Sequence, residues 1–128
     1  MDIAEFPPNP SGTALGLVVG FIKAMHEVTD RNDLGSQTIL TLLAVAQAGN
    51  GGLPQSQLVP LTGMTMAGVS RNVTRLSCGS SREEGWGWVE SREDPMNRRY
   101  KIVTLTYKGK KVLEDIFSRL GRLPLAIT

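Results

Sequence analysis

Residues 65–76 read TMAGVSRNVTRL, and the pattern of these residues predicts the central helix of the chain. Thr65 is placed to cap a helix, because a hydroxyl side chain before the first turn accepts a hydrogen bond from a free backbone amide. In that helix three apolar residues share one face, spaced four and three apart: Val69, Val73 and Leu76. The stretch therefore predicts an amphipathic helix over about residues 65–77, with this face packed into a core.

A shorter helix is predicted just before it. Leu53-Pro54 is expected to open this helix, with Leu58 and Leu61 facing inward. Pro60 removes an interior backbone donor, so the helix should be short, kinked or ended near that point. Gly63 then makes the turn. A short helix, a turn and a longer helix are typical of a helix-turn-helix.

A hairpin is predicted after the longer helix. Trp86–Ser91 alternates loosely between apolar and polar residues, and Arg98–Leu105 alternates with period two, as strands do. The residues between them include aspartate, proline and asparagine, which stabilise turns. This hairpin, over about residues 86–105, leads into a C-terminal helix over about residues 106–120, which Thr106 is expected to cap and which has one apolar stripe.

The N-terminal part supplies two more predicted helices. Residues 1–10 are rich in proline and are expected to be extended. A first helix is capped by Ser11 or Thr13 and runs to about Val28, and a second begins with a cap at Ser36 and is stopped by Gly49. The first helix is apolar over more than one stripe, so it must be buried from several directions. In so small a chain, the expected second partner is another subunit.

Length and composition fit one folded domain. The chain has 128 residues, of which 41% are hydrophobic and 20% charged, as in ordinary folded proteins. We therefore expect residues 11–128 to form a single domain, mainly α-helical with a small β-hairpin, in the α+β class. In this arrangement the hairpin is the wing of a winged helix-turn-helix, and the N- and C-terminal helices flank it as a dimer interface.

Positive charge is concentrated in the middle of the chain. From Arg71 to Lys111 there are ten basic and five acidic residues, whereas the rest of the chain has four basic and seven acidic ones. The middle is therefore +5 and the rest −3, within a net charge of +2. A basic segment between acidic flanks is typical of a surface that binds a polyanion, and the alternative is an ordinary solvated face.

The residue content disfavours an enzyme. Cys78 is the only cysteine and His26 the only histidine, and no acid–base pair, nucleophile–base pair or phosphate-binding glycine loop is evident. We expect no catalytic residues, no metal site and no cofactor. A single cysteine, no secretory leader and no membrane-spanning segment favour the cytoplasm.

The exposed side of the longer helix suits DNA. Small side chains let its first turn approach the major groove, and arginines pair with guanine or anchor on phosphate. Arginines near the hairpin tip are expected to reach the minor groove or flanking phosphates. An amphipathic surface helix with incidental arginines remains the alternative. The DNA-binding candidates are Thr65, Gly68, Ser70, Arg71, Thr74, Arg75, Arg92, Arg98 and Arg99.

Residues 38–117 resemble the MarR family of winged-helix transcriptional regulators. The hairpin DPMNRR, residues 94–99, followed by Leu105-Thr106 and Gly109, is similar to the wing signature of that family. GVSRNVTRL, residues 68–76, is similar to its DNA-recognition helix. The resemblance implies a two-fold dimer in which each winged helix contacts one half-site of an inverted repeat. A chain this short suits a phage or mobile-element version of the family.

Several features depart from that family. Asn97 stands where an aspartate is usual, so an ion pair with a nearby arginine is expected to be lost or weakened. Pro60 interrupts the preceding helix, residues 77–85 form a longer loop than usual, and the C-terminal region is short. The family also implies small aromatic or phenolic effectors, but no polar constellation here identifies such a site, and the effector stays undefined.

Two functions follow from these observations. The first is a sequence-specific regulator of transcription that binds double-stranded DNA as a dimer and acts as a repressor. The second is a winged helix that docks on RNA polymerase or another regulator. Trp86 and Trp88 beside Glu83 and Glu84 motivate it, because exposed tryptophans anchor protein interfaces. Packing of both tryptophans against the base of the wing would count against it.

Overall fold

The computed structural model describes residues 14–29, 35–81 and 84–120. It contains five α-helices and three β-strands within these residues. The helices are α1 (Ala14–Thr29), α2 (Ser36–Gln47), α3 (Leu58–Thr62), α4 (Met66–Leu76) and α5 (Tyr107–Leu120). The strands are β1 (Leu53–Pro54), β2 (Val89–Asp94) and β3 (Asn97–Leu105). The order of two helices, a helix pair, a hairpin and a final helix confirms the predicted α+β winged helix.

The chain divides into two compact units. The winged unit comprises α2 to the start of α5 at Lys111, and the helical unit comprises α1 and α5 from Val112 onward. The predicted N-terminal extended segment and the caps at Ser11 or Thr13 lie outside the described residues.

The core of the winged unit forms where its three helices meet the sheet. Val69, Val73 and Leu76 of α4 are buried, as their spacing predicted. Leu42 and Val45 of α2 are also buried. Further buried residues come from the sheet and its connections: Leu53, Leu58, Met64, Trp88, Val89 and Val103. The apolar periodicity of α4 therefore fixes which side of this helix faces the core and leaves the opposite side exposed.

The sheet has three antiparallel strands in the order β1-β3-β2. Leu53 and Pro54 pair with Val103 and Ile102, so the prediction that they open a helix was wrong. Pro54 has no amide hydrogen to donate, but β1 lies at the edge of the sheet, where a missing donor is tolerated. A single turn of 3₁₀ helix, Gln55–Gln57, joins β1 to α3.

Helix α3 begins only at Leu58 and is five residues long. Pro60 therefore falls in the first turn, where backbone amides lack helical partners in any case, and the helix is short as predicted. Leu58 is fully buried, but Leu61 is 55% exposed, so its predicted inward orientation was wrong. Gly63 ends the helix at φ +73°, in the left-handed region that glycine readily adopts.

Helix α2 ends where the sequence predicted but starts differently. Gly35 is its N-cap, and the amide of Ile39 donates to the Gly35 carbonyl at 3.1 Å. Ser36 is thus the first helical residue rather than the cap, and no side-chain hydrogen bond caps this end. Gly49, at φ +79°, follows the last turn, as predicted.

The wing is longer at its tip and shorter at its base than predicted. Its strands continue to Asp94 and from Asn97, so the turn contains only Pro95 and Met96. The predicted strand at Trp86–Ser91 was wrong in its first part, because β2 begins at Val89. The amides of Trp86, Gly87 and Trp88 instead donate to carbonyls at the end of α4, on Arg75, Ser77 and Leu76. This segment therefore satisfies carbonyls that a helix end leaves without partners.

The base of the wing is tightly joined to α5. The indole rings of Trp86 and Trp88 pack with centroids 4.8 Å apart, and Trp88 is only 5% exposed. Thr106 caps α5 as predicted: its hydroxyl accepts from the Gly109 amide at 3.0 Å and donates to the Gly87 carbonyl at 2.5 Å. The burial of Trp88 removes much of the motive for a tryptophan-based docking surface.

In the helical unit, Ala24, Met25, Leu113 and Ile116 are buried. Phe21 and Phe117 pack with ring centroids 6.2 Å apart. Arg119 donates to Glu27 at 3.0 Å and to Asp115 at 3.3 Å. None of the helices in the described ranges is long and apolar enough to cross a membrane.

Candidate nucleic-acid interface

Helix α4 presents the predicted polar face to solvent. Its N-cap is Thr65, whose hydroxyl accepts a hydrogen bond from the Gly68 amide at 3.0 Å, as predicted. Ser70, Arg71 and Arg75 are exposed, while Gly68 and Thr74 are half-buried. The cap fixes the start of the helix, and the buried apolar face fixes its rotation. The two arginines are thus held on the outer side of the unit.

A groove of about 460 Å³ lies between α4 and the first turn of α2. Arg71 and Arg75 line it from one side, and Ser36 and Gln37 line it from the other. The start of α2 has no side-chain cap, and an uncapped helix start carries partial positive charge. Both sides of the groove therefore favour an anion, although only the α4 side was predicted from the sequence.

Asn72 connects α4 to α2. Its side-chain amide donates to the Gly68 carbonyl at 2.9 Å and to the Met64 sulfur at 3.4 Å. Its side-chain oxygen accepts from the hydroxyl of Thr38, a residue only 5% exposed, at 2.5 Å. Asn72 lies between the buried and exposed faces of α4, and it positions the helix although no pattern in the sequence indicated a role for it. The feature of the sequence that could have indicated this role is a polar residue at the boundary between the two faces of the helix.

We expect Asn72→Ala to destabilise the protein by about 1–2 kcal/mol, because it leaves the buried Thr38 hydroxyl without its partner. Chemical denaturation would measure the loss, with Gln37→Ala as a control at an exposed position on α2. In a double-mutant cycle with Thr38→Val, the two changes should couple by about 1 kcal/mol. Strictly additive effects would show that the hydrogen bond contributes nothing to stability.

A second groove lies between α4 and the wing. It has a volume of about 330 Å³ and is lined by Ser70 and Thr74 of α4 and by Ser91 and Lys101 of the wing. Lys101 was not among the predicted site residues. Alternation along β3 could have identified it, because Lys101 shares a face of the strand with the buried Val103. Lys101 brings positive charge of the wing next to the exposed face of α4.

The three predicted arginines of the wing are exposed but do not form one cluster. Arg98 and Arg99 lie next to the tip. Arg92 pairs with Ile102 and, by alternation, lies on the face of the hairpin opposite to Lys101. It lines a separate groove of about 350 Å³ with Asn50 and Lys110. The structure therefore does not bring Arg92 together with the arginines of α4.

Asn97 does not act as a partner for an arginine side chain at the tip. Its side-chain oxygen accepts from the backbone amide of Arg99 at 3.2 Å. Asp94 accepts from the backbone amide of Met96 at 2.9 Å. Both side chains stabilise the turn locally, as aspartate and asparagine commonly do.

Solved structures with the same fold were found by comparison. One is transcriptional regulator Tm0710 from Thermotoga maritima, with 20% identity and a TM-score of 0.62, covering 82% of this chain and 68% of that one. Another is a mutant of MarR from E. coli complexed with operator DNA, with 20% identity and a TM-score of 0.58, covering 83% and 69%.

The chain has the MarR fold. A mutant of MepR from S. aureus bound to an oligodeoxyribonucleotide is similar as well, at 19% identity and a TM-score of 0.59, covering 80% of this chain and 69% of that one. A scan of protein-family models finds no match, and a search of curated proteins finds none either. The structural likeness to MarR confirms the fold that the motifs predicted, in which α3, a turn and α4 are followed by the β2–β3 hairpin.

Proposed function

We propose that this chain is a sequence-specific regulator of transcription that binds double-stranded DNA as a dimer and acts as a repressor. The observation that carries the proposal is the exposed face of α4, capped by Thr65 and carrying Arg71 and Arg75, beside a basic, solvent-exposed wing. In this proposal α4 lies in the major groove, and the wing reaches the minor groove or the backbone.

The proposed DNA contacts are the nine candidates from the sequence together with Lys101. Arg71 and Arg75 are the expected base-reading residues, because a guanidinium group donates two parallel hydrogen bonds to the edge of guanine. Two solved structures of similar fold are bound to DNA, which supports this orientation. A regulator of this kind acts without a cofactor and is expected in the cytoplasm, and we propose no enzymatic activity.

The helical unit supports a dimer. Val18, Val19, Ile22 and Phe117 are between 39% and 61% exposed, although all four are large and apolar. They lie on α1 and α5, the two helices that were expected to form the dimer interface. Burying this surface against a second copy would remove it from water and place two winged units on one inverted repeat.

Selection of bound duplexes tests the proposal. A randomised duplex pool would be equilibrated with the protein at two salt concentrations, and the bound fraction sequenced. We expect enrichment of an inverted repeat, because a two-fold dimer reads two equivalent half-sites. Salt-sensitive binding without enrichment would contradict sequence-specific regulation, and no binding at low salt would favour the protein-docking alternative.

The salt dependence gives a separate prediction. Each phosphate neutralised by the protein should contribute about −0.9 to the slope of log K against log salt concentration. Arg98→Ala should weaken binding to all duplexes to a similar degree. It should also make the slope of log K against log salt concentration shallower by about one for each phosphate that is no longer neutralised. Lys23→Ala, which removes an exposed cation from the helical unit, is the control and should leave the slope unchanged. An equal effect of both variants would show that Arg98 does not contact the DNA backbone.

A further inference from the structure

The tip of the wing carries an apolar side chain where the surrounding residues are polar. Met96 is 91% exposed, the highest value among the large apolar residues that the structure describes. It occupies the two-residue turn with Pro95, and Arg98 and Arg99 follow it on β3. An apolar residue held this far into solvent next to two arginines suggests a contact with a polyanion that also offers an apolar surface.

We propose that Met96 enters the minor groove of DNA and selects A·T over G·C base pairs at the outer flank of each half-site. This inference rests on the proposed function and specifies which residue reads which groove. In the minor groove A·T pairs present only acceptors, whereas G·C pairs add the amino group of guanine, which projects as a donor. A methionine side chain has no oxygen or nitrogen that could accept a hydrogen bond from that amino group. Burying the amino group against Met96 is therefore unfavourable.

Local hydrogen bonds stabilise the turn at the tip of the wing. Asp94 accepts from the Met96 amide at 2.9 Å, and Asn97 accepts from the Arg99 amide at 3.2 Å. Pro95 has its φ angle fixed by its ring. The backbone at Met96 is thereby held in place from both sides, which lowers the entropy lost when the tip binds.

The reach of the wing matches the distance between grooves. Lys101 lines the groove beside Ser70 and Thr74 of α4, and from there β3 runs outward to the tip with all residues exposed. The four steps of β3 from Lys101 to Asn97 span about 13 Å, and Met96 lies one residue further out in the turn, about 16 Å from Lys101 in all. Half a turn of DNA, which separates a major groove from the adjacent minor groove, is about 17 Å. With α4 in the major groove, the wing is therefore long enough for its tip to reach the adjacent minor groove.

The charges at the tip are consistent with this placement. Arg98 and Arg99 are exposed and can contact the phosphates on the two sides of a narrow groove. Of the two nearby carboxylates, Asp94 is half-buried and accepts the Met96 amide, and Glu93 lies opposite Lys101 in the strand register. At the tip itself Arg98 and Arg99 outnumber Asp94, so this part of the wing remains basic.

Inosine substitution tests the inference. Once an operator is selected, its two outer flanks would be synthesised with A·T, G·C or I·C pairs; inosine lacks the minor-groove amino group of guanine but keeps its major-groove edge. For the wild type we expect G·C flanks to weaken binding about three- to tenfold relative to A·T. I·C flanks should bind like A·T, and Met96→Ala should abolish the difference between G·C and I·C.

Met66→Ala is the matched control, because it removes a second exposed methionine, at the start of α4. Whatever its effect on overall affinity, it should keep the discrimination between G·C and I·C flanks. The inference is overturned if I·C flanks bind like G·C, or if Met96→Ala discriminates as well as the wild type does. Failure of the wild type to bind any duplex would instead refute the proposed function, and this inference with it.

Discussion

Gly109→Ala is expected to destabilise this protein by about 3 kcal/mol or more, although alanine is the better helix former by about 1 kcal/mol. Gly109 lies in the first turn of α5, directly against the base of the wing. A Cβ atom added there would lie 2.0 Å from the Trp88 carbonyl oxygen and 2.9 Å from its carbon, and both are backbone atoms. Backbone cannot rotate away as a side chain can, so the helix and the wing would have to separate.

The separation would also break hydrogen bonds at the base of the wing. The Trp88 carbonyl accepts from the Thr106 amide at 3.0 Å, and the Thr106 hydroxyl caps the helix at Gly109. Equilibrium denaturation in urea or guanidinium would measure the change in the free energy of unfolding.

Gly68→Ala is the matched control for this prediction. Gly68 occupies the same position in α4 as Gly109 in α5, three residues after a threonine N-cap whose hydroxyl accepts its amide hydrogen. A Cβ atom at Gly68 would lie 3.3 Å from the Thr65 hydroxyl and 3.6 Å from the Met64 side chain, which small shifts can relieve. The free energy of unfolding of the Gly68→Ala variant should stay within about 1 kcal/mol of that of the wild type. Equal effects at the two glycines would contradict the role assigned to the Trp88 carbonyl.

The sequence predicted the parts of the fold that depend on local patterns. In α4 the apolar spacing identified the buried residues Val69, Val73 and Leu76, and the hydroxyl of Thr65 identified the cap. Thr106 was identified as the cap of α5 in the same way. These features depend on residues within one or two turns of each other, which is why the pattern alone determined them.

The predictions of secondary structure were wrong where backbone groups form hydrogen bonds with distant parts of the chain. Leu53-Pro54 has the composition of a helix start, but its partner is β3, almost fifty residues later. Trp86–Trp88 resembles a strand, but its amides bond to the end of α4. Such pairing depends on how the elements assemble, and no local propensity encodes it.

The same distinction holds for the candidate site. Exposure of Arg71, Arg75, Arg98 and Arg99 followed from their position opposite the buried face or near the hairpin turn. The hydrogen bond from Thr38 to Asn72 joins residues 34 apart in sequence, and it was not foreseen. Sequence periodicity therefore indicated which side chains face outward, but only the structure showed what holds α4 in place.

Arg71→Ala is expected to lower the affinity for the selected operator by about 1–3 kcal/mol at each half-site. Arg71 is exposed on α4, one turn before Arg75, and it lines the groove between α4 and the start of α2. If Arg71 donates two hydrogen bonds to a guanine, the loss should be large for the operator and small for unrelated duplexes. Anisotropy titrations of operator and scrambled duplexes at one salt concentration would separate the two effects.

Arg71→Lys separates charge from geometry at the same position. Lysine keeps the positive charge but lacks the planar fork that matches the edge of guanine. The variant should therefore keep the salt dependence of the wild type and lose most of the preference for the operator. A different result would show that Arg71 contacts phosphate. In that result Arg71→Lys behaves like the wild type, whereas Arg71→Ala weakens binding to all duplexes equally and reduces the slope of log K against log salt concentration by about one. In that case the reading of bases by α4 would rest on Arg75 and the small side chains around it.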